Sequence, residues 1–108
     1  MNSTTITKSS GNVYADIGIP NPEEHAAKAN LVMRMAEIIQ REGLNQTEAA
    51  RRMGLTQPDV SKILKGQFRP FSLERMLMML RKLGQDVRIE VSEPKRRRRV
   101  GKLTVEAI

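Results

Sequence analysis

The sequence contains no cysteine and no tryptophan, it has one histidine, and only 3% of its 108 residues are aromatic. The absence of cysteine excludes disulfide frameworks, cysteine-ligated zinc and thiol catalysis. The one histidine, His25, does not make a histidine-rich metal cluster, and no pair of carboxylates suggests acid–base catalysis. We therefore expect no enzyme, no metal and no cofactor, and we expect a core of Leu, Ile, Val, Ala and Met.

Long hydrophobic runs are missing too. The apolar stretches are far shorter than the roughly 18 residues that a membrane helix needs. Residues 1–7 are polar and lack the charged-then-apolar order of a secretory signal peptide. We expect a soluble cytoplasmic protein with no membrane contact, built as one compact domain with tails.

Positive charge is abundant and unevenly placed. The 19 Lys and Arg residues exceed the 12 Asp and Glu residues, which gives a net charge of +7. Residues 1–45 carry −1, residues 46–82 carry +5 and residues 83–108 carry +3. Such an excess on a small protein indicates an anionic partner, most simply nucleic acid. For the separate basic run at residues 95–99, a solvated tail, a second DNA contact and a contact with a protein partner all remain open.

Helix start and stop signals recur between residues 21 and 84. The residues predicted to cap helix N-termini are Asn21, Asn45, Thr56 and Ser72. Apolar residues at helical spacing follow each cap, and a glycine ends each segment, at positions 43, 54, 66 and 84. Residues 86–91 then alternate polar and apolar side chains, which is typical of a half-buried strand. These signals predict four helices and one C-terminal strand.

The chain divides into three parts on this pattern. Residues 1–20 show no clear period and form an N-terminal arm, and residues 93–108 form a basic, flexible tail. Residues 21–92 form the folded domain. The strand at residues 86–91 needs a partner for its backbone, which is the arm, the tail or the same strand of a second subunit. We favour the second subunit, because self-pairing buries Val87, Ile89 and Val91.

Residues 46–65 read QTEAARRMGLTQPDVSKILK and have the pattern of two short helices joined by a tight turn. Ala50 is small where the helices approach, Gly54 suits the turn, and Val60 and Ile63 face inward. The outer face of the second helix is polar and carries Gln57, Ser61, Lys62 and Lys65. A helix of this kind fits the major groove of DNA, where amides and cations read base edges.

These residues resemble the Cro/cI-type (XRE) helix-turn-helix family over about residues 23–84, with the order Gln-Thr-x-x-Ala-x-x-x-Gly at residues 46–54. The run FSLER at residues 71–75 and the strand after it are similar to the HigA/HipB-like antitoxin branch. The resemblance implies an all-α fold, a compact lambda-repressor-like bundle of four to five helices with one C-terminal β-strand paired across a dimer. Pro58, in the first turn of the recognition helix, departs from many family members, but no helical hydrogen bond is lost there.

The resemblance also implies roles for individual residues. The implied base contacts are Gln57, Ser61 and Lys62. The implied phosphate contacts are Gln46, Thr56, Lys65, Gln67 and Arg69.

The sequence thus predicts a homodimeric repressor that binds a pseudo-palindromic operator in double-stranded DNA. The narrower hypothesis is the antitoxin of a toxin–antitoxin operon, which binds a small cognate toxin and represses its own operon. The alternative is a phage or accessory DNA-binding regulator with no toxin partner. A weaker hypothesis is a nucleoid factor that binds DNA with little specificity.

Overall fold

The structure is a computed structural model, and it describes residues 21–97 and 99–106. In this part of the chain there are four α-helices: α1 (Pro22–Arg41), α2 (Gln46–Met53), α3 (Gln57–Leu64) and α4 (Leu73–Lys82). The predicted all-α bundle of four helices is confirmed. The predicted arm at residues 1–20 lies outside the described residues.

Side-chain caps begin three of the four helices. Asn45 and Glu48 form a reciprocal capping box, with distances of 2.8 and 2.9 Å between each side-chain oxygen and the other residue's backbone nitrogen. At α3, Thr56 Oγ1 accepts from the Asp59 N–H at 3.2 Å. At α4, Ser72 Oγ accepts from the Arg75 N–H at 3.1 Å. These caps satisfy backbone donors that have no partner within the helix.

The start of α1 differs from the prediction. Asn21 has a left-handed backbone, with φ 48° and ψ 61°, and its side chain makes no capping hydrogen bond. Asparagine tolerates this conformation better than most residues. The helix begins at Pro22, which is the predicted first helical position and whose ring presets the helical φ. The first backbone bond runs from the His25 N–H to the Asn21 carbonyl at 2.9 Å.

The core is aliphatic, with methionines at its centre. Helix α1 packs on α3 and α4, and α2 packs on α3 and α4. The largest fully buried side chains are Met35, Ile38, Val60, Ile63, Met76, Met79 and Leu83. Flexible methionine side chains fill an irregular interior of this kind well. None of the helices in the described ranges is long and apolar enough to cross a membrane.

The predicted β-strand is absent from the described residues, so its pairing across a dimer is not supported. No backbone hydrogen bond joins residues 86–97 to another described segment. Val87 is half-buried against the core, but Ile89 is 76% exposed and Val91 is 93% exposed. The alternation specifies which side chains would share a face, but a strand also requires a second backbone, which the described residues of the single chain do not provide.

The C-terminal residues return to the first helix. The Leu103 N–H donates to Glu23 Oε2 at 2.9 Å, and Asn30 Nδ2 donates to the carbonyl of Val105. The Val105 side chain is half-buried and packs against the core. Residues 103–105 therefore lie along the N-terminal half of α1.

Candidate nucleic-acid interface

Helices α2 and α3 are joined by a turn of three residues, 54–56, that brings their N-termini to one side of the domain. Gly54 has φ +74°, a left-handed conformation that other residues adopt only with strain. The Leu55 N–H then bonds back to the Ala50 carbonyl at 2.9 Å and closes the turn. Ala50 is 4% exposed, so the helices meet closely at this small side chain. The predicted roles of both residues in the turn are confirmed.

Helix α3 has one buried and one exposed face. Val60 and Ile63 are completely buried and fix the helix on the core. Helical spacing puts Gln57, Ser61 and Lys65 in one row and Pro58 and Lys62 in the next row. Ser61 is half-buried, whereas the other members of the two rows are exposed. The exposed face therefore presents an amide, a hydroxyl and two ammonium groups.

Two glutamines tie α3 to α2 at the edge of this face. Gln57 Nε2 donates a hydrogen bond of 2.6 Å to Gln46 Oε1. Both residues are the first of their helices, so the bond joins two helix N-termini. It restricts the rotation of both side chains and leaves Oε1 and the second amide hydrogen of Gln57 available to an external group.

The loop after α3 is held from inside, so its polar side chains point outward. Phe68 and Phe71 are buried, and the Phe71 N–H bonds to the Phe68 carbonyl at 3.0 Å. Lys65, Gln67 and Arg69 are all exposed. A loop with two buried aromatic anchors presents these three side chains at a defined place beside α3.

Helix α1 supports the same loop through Lys28. This side chain is almost completely buried, and its Nζ donates to the Arg69 carbonyl at 3.2 Å and lies 3.4 Å from Glu24 Oε2. A buried ammonium needs such partners, since an unpaired charge in the interior is costly. Lys28 therefore holds the loop backbone from the buried side, while the Arg69 side chain remains exposed to solvent.

His25 lies next to Lys28 on the same end of α1. Its ring is 4.8 Å from the Phe68 ring, centroid to centroid, at an angle of 31°. Burial lowers the pKa of His25 below its ordinary value of 6.5, and the charges of Arg69 and Lys28 lower it further. The neutral imidazole thus packs on the aromatic anchor of the loop.

Arg52 contributes to the fold at the far end of α2. Its Nη1 forms an ion pair with Glu42 Oε1, and its Nη2 donates to the Leu83 carbonyl at 3.1 Å. This one guanidinium, on α2, therefore connects α2 with the C-terminal ends of α1 and α4. The ideal Cβ position at Gly54 lies 2.6 Å from Lys82 Nζ, so the Lys82 side chain covers the turn between α2 and α3.

We define the α3 surface as the side chains predicted to contact bases or phosphates, which lie at the N-termini of α2 and α3, on the outer face of α3 and in the following loop. Its members are Gln46, Thr56, Gln57, Ser61, Lys62, Lys65, Gln67 and Arg69. The three cations among them form no ion pair with another described residue. Within the described ranges, no group of three or more His, Asp or Glu side chains could hold a metal ion. The chemistry of the α3 surface is thus hydrogen bonding plus positive charge, with the carboxylates of Glu48 and Asp59 beside it in the first turns of α2 and α3.

All the residues predicted to contact bases or phosphates are exposed or half-exposed, and their individual contacts remain predictions. Thr56 Oγ1 is already an acceptor in the α3 cap, so its hydroxyl hydrogen is the group left for a phosphate. The predicted dimerisation residues Val87, Ile89 and Val91 lie after α4, outside this surface. The sequence reasoning missed the bond between Gln46 and Gln57, the support by Lys28 and the tether by Arg52. A buried lysine and a bridging arginine carry no local sequence signal.

Comparison with known proteins gives three findings. Residues 13–92 match a family described as a helix-turn-helix domain. A solved structure titled as a putative XRE family transcriptional regulator is similar to this chain, with a TM-score of 0.75 and 35% sequence identity. The match covers 82% of this chain and 100% of that chain. No protein of curated function matches the sequence.

Proposed function

Since the chain belongs to the XRE-type helix-turn-helix family, we propose that it is a sequence-specific, DNA-binding transcription regulator that represses by binding rather than by catalysis. The observation that carries the proposal is the α3 surface. It consists of a two-turn helix, whose outer face is polar, and of cations that flank this helix. An α-helix of this size fits the major groove. A regulator of this kind works in the compartment that contains the DNA, and we propose a cytoplasmic location.

Base reading is assigned to Gln57, Ser61 and Lys62. An amide can pair with two edge atoms of adenine, and an ammonium donates to O6 and N7 of guanine. Gln57 is held by Gln46 before any DNA arrives, so little rotational freedom is lost on binding. Ser61 lies one turn further along α3 and donates or accepts at the next step of the groove.

Phosphate contacts are assigned to residues on both sides of α3. Gln46 and Thr56 stand at helix N-termini, where backbone N–H groups and the helix dipole favour an anion. Lys65, Gln67 and Arg69 flank the other end of α3. Contacts of this kind position the recognition helix on the duplex but carry no base sequence themselves.

We propose a homodimer as the DNA-binding species. The support is the extended segment after α4, where Ile89 and Val91 expose large apolar side chains at alternate positions together with the half-buried Val87. Pairing of this segment with its copy would satisfy both backbones and cover these side chains. A two-fold dimer implies a pseudo-palindromic operator with half-sites about 34–36 Å apart, or a multiple of that. Sedimentation of the purified protein measures the mass, and a monomer at micromolar concentration would rule this out.

The antitoxin role is a narrower proposal within the same function. It is supported only by the likeness of residues 71–75 and of the segment after them to the antitoxin branch. Co-expression with the product of the neighbouring gene tests it, because an antitoxin forms a stable complex with its toxin. If no complex forms, the alternative of a phage or accessory regulator without a toxin partner is favoured.

The DNA-binding proposal is tested by a mobility-shift assay at 150 mM salt. The probes are the DNA upstream of the protein's own gene and a shuffled duplex of equal length and composition. Specific binding requires clear preference for the upstream DNA. Equal binding to both probes would contradict sequence-specific regulation and favour the hypothesis of a nucleoid factor of low specificity.

A further inference from the structure

We propose that the basic run at residues 95–99, with Lys102, is an anchored arm that contacts phosphates of duplex DNA outside the segment read by α3. This inference rests on the proposed function and extends the interface beyond the helix-turn-helix. The run has the sequence KRRRR and carries five of the chain's 19 basic residues.

The first support is the state of the run itself. Lys95, Arg96, Arg97 and Arg99 are exposed. Among the described residues, no ion pair involves any of these four. Their charges are therefore available to an external anion, and the phosphates of DNA are such anions at high density.

The second support is the anchor that follows the run. Leu103 is bonded through its N–H to Glu23 Oε2 at 2.9 Å, Val105 accepts through its carbonyl from Asn30, and the Val105 side chain packs against the core. Arg99 precedes Leu103 by four residues, so its Cα lies within about 14 Å of the Leu103 Cα. Lys95, eight residues away, lies within about 29 Å. Arg99 is thus held near the N-terminal half of α1, and the earlier residues of the run have a longer reach from the same anchor.

The third support is the position of the anchor relative to the α3 surface. Glu23 lies in the first turn of α1, and the next turn of the same helix packs on the loop after α3. The His25 ring lies 4.8 Å from Phe68, and Lys28 Nζ donates to the Arg69 carbonyl. The end of the run next to the anchor is therefore held on the side of the domain that carries the loop assigned to phosphate contacts. We expect the arm to reach the flanking backbone when α3 lies in the major groove.

Anchoring matters because it raises the effective concentration of the run at the flanking phosphates. A free tail of equal charge would spend most of its time away from the duplex. We expect a footprint longer than the half-site and an affinity that depends on DNA outside the sequence read by α3.

The experiment uses the full chain and a binding site that it selects from a random pool of duplexes. Affinity is measured from 50 to 200 mM salt on the minimal site and on the same site with ten base pairs added at each end. Three variants are compared with the wild type: a five-fold alanine variant of residues 95–99, Val105→Ser, which loosens the anchor without changing charge, and Val100→Ser. Val100 is 80% exposed in the same segment, so Val100→Ser is the matched control. Circular dichroism checks that each variant is folded.

We expect the five-fold alanine variant to bind the extended site about tenfold or more weakly at 150 mM salt, and to lose about 0.9 from the salt slope for each phosphate contact removed. On the minimal site its affinity should change far less. Val105→Ser should weaken binding to the extended site by a smaller factor, and Val100→Ser should not change it.

The outcomes separate this inference from the proposed function. If the wild type selects no site, both are overturned. If it selects a site and the five-fold variant binds both duplexes as the wild type does, only the inference is overturned, including the case in which the run binds an acidic protein instead. If the five-fold variant is weakened but Val105→Ser behaves as Val100→Ser does, the anchoring is overturned.

Discussion

Gln57 Nε2 donates a hydrogen bond of 2.6 Å to Gln46 Oε1, and this bond connects the first residues of α2 and α3. It sets the direction of the amide that we assign to base reading. It also couples a residue assigned to the phosphate backbone with one assigned to the groove. The two side chains are therefore expected to act as a unit in DNA binding.

The first prediction follows from this coupling. Gln46→Ala and Gln57→Ala should each weaken binding to the selected site, with Gln57→Ala costing about 1–3 kcal/mol and relaxing the preference at one base pair. The double variant should lose less binding free energy than the sum of the two single losses, by about 0.5–1.5 kcal/mol. A double-mutant cycle of dissociation constants measures this. Strictly additive losses would show that the pair does not act together, and Gln40→Ala, exposed on α1, serves as the control.

The second prediction concerns the two adjacent arginines of α2. Arg52 pairs with Glu42 and donates to the Leu83 carbonyl, so Arg52→Ala should lower the free energy of unfolding by about 1–2 kcal/mol. Arg51 is exposed and has no ion pair with another described residue, so Arg51→Ala should change the free energy of unfolding by less than about 0.5 kcal/mol. Urea denaturation compares the two. Equal midpoints would contradict the tether.

The third prediction concerns the turn at Gly54. An alanine there would hold a left-handed backbone at φ +74°, and its Cβ would displace the Lys82 ammonium. The ammonium moves easily, so the backbone strain dominates, and we expect Gly54→Ala to lower the free energy of unfolding by about 1–2 kcal/mol. Gly101→Ala is the matched control, since an added Cβ there meets no atom within 4 Å. Thermal and urea unfolding should rank the two variants in that order, and the reverse order would contradict the argument.

The fourth prediction is a pH dependence that comes from His25. Its pKa in the folded protein is lowered by burial, then by Arg69 and Lys28, so the unfolded chain takes up a proton more readily than the folded one. Stability is therefore fully present above the unfolded pKa of 6.5 and is lost as pH falls from there toward the lower folded pKa. Urea midpoints of the wild type and of His25→Gln at pH 7.5 and pH 5.5 measure the difference. If the wild type loses no more stability than His25→Gln over this range, the assignment to His25 is wrong.

The local features of the fold were predictable from the sequence, whereas the long-range ones were not. The helix starts are predictable because a capping side chain acts on backbone groups two or three residues away, as at Asn45, Thr56 and Ser72. Lys28 reaches the carbonyl of Arg69, 41 residues later, and Arg52 reaches that of Leu83, 31 residues later. Such contacts depend on how the helices cross, which periodicity does not specify.

The predicted strand shows the same limit more sharply. The alternation at residues 86–91 is a local signal, but a strand forms only beside a second backbone, and the described residues of one chain offer none. At the candidate interface, the spacing of polar residues along α3 predicted which side chains are exposed. It did not predict that Gln57 would be held by Gln46, because the two residues are brought together by the turn at Gly54.

The central claim is that α3 reads base sequence while the loop after it contacts phosphates. The most direct measurement is the ratio of dissociation constants for a scrambled duplex and the selected site at 150 mM salt, in the wild type, Lys62→Ala and Arg69→Ala. We predict a wild-type ratio of about 10³ or more, a ratio about 5- to 100-fold smaller for Lys62→Ala, and an unchanged ratio with uniformly weaker binding for Arg69→Ala. A wild-type ratio near one, or a ratio that Lys62→Ala leaves unchanged while Arg69→Ala reduces it, would contradict the claim.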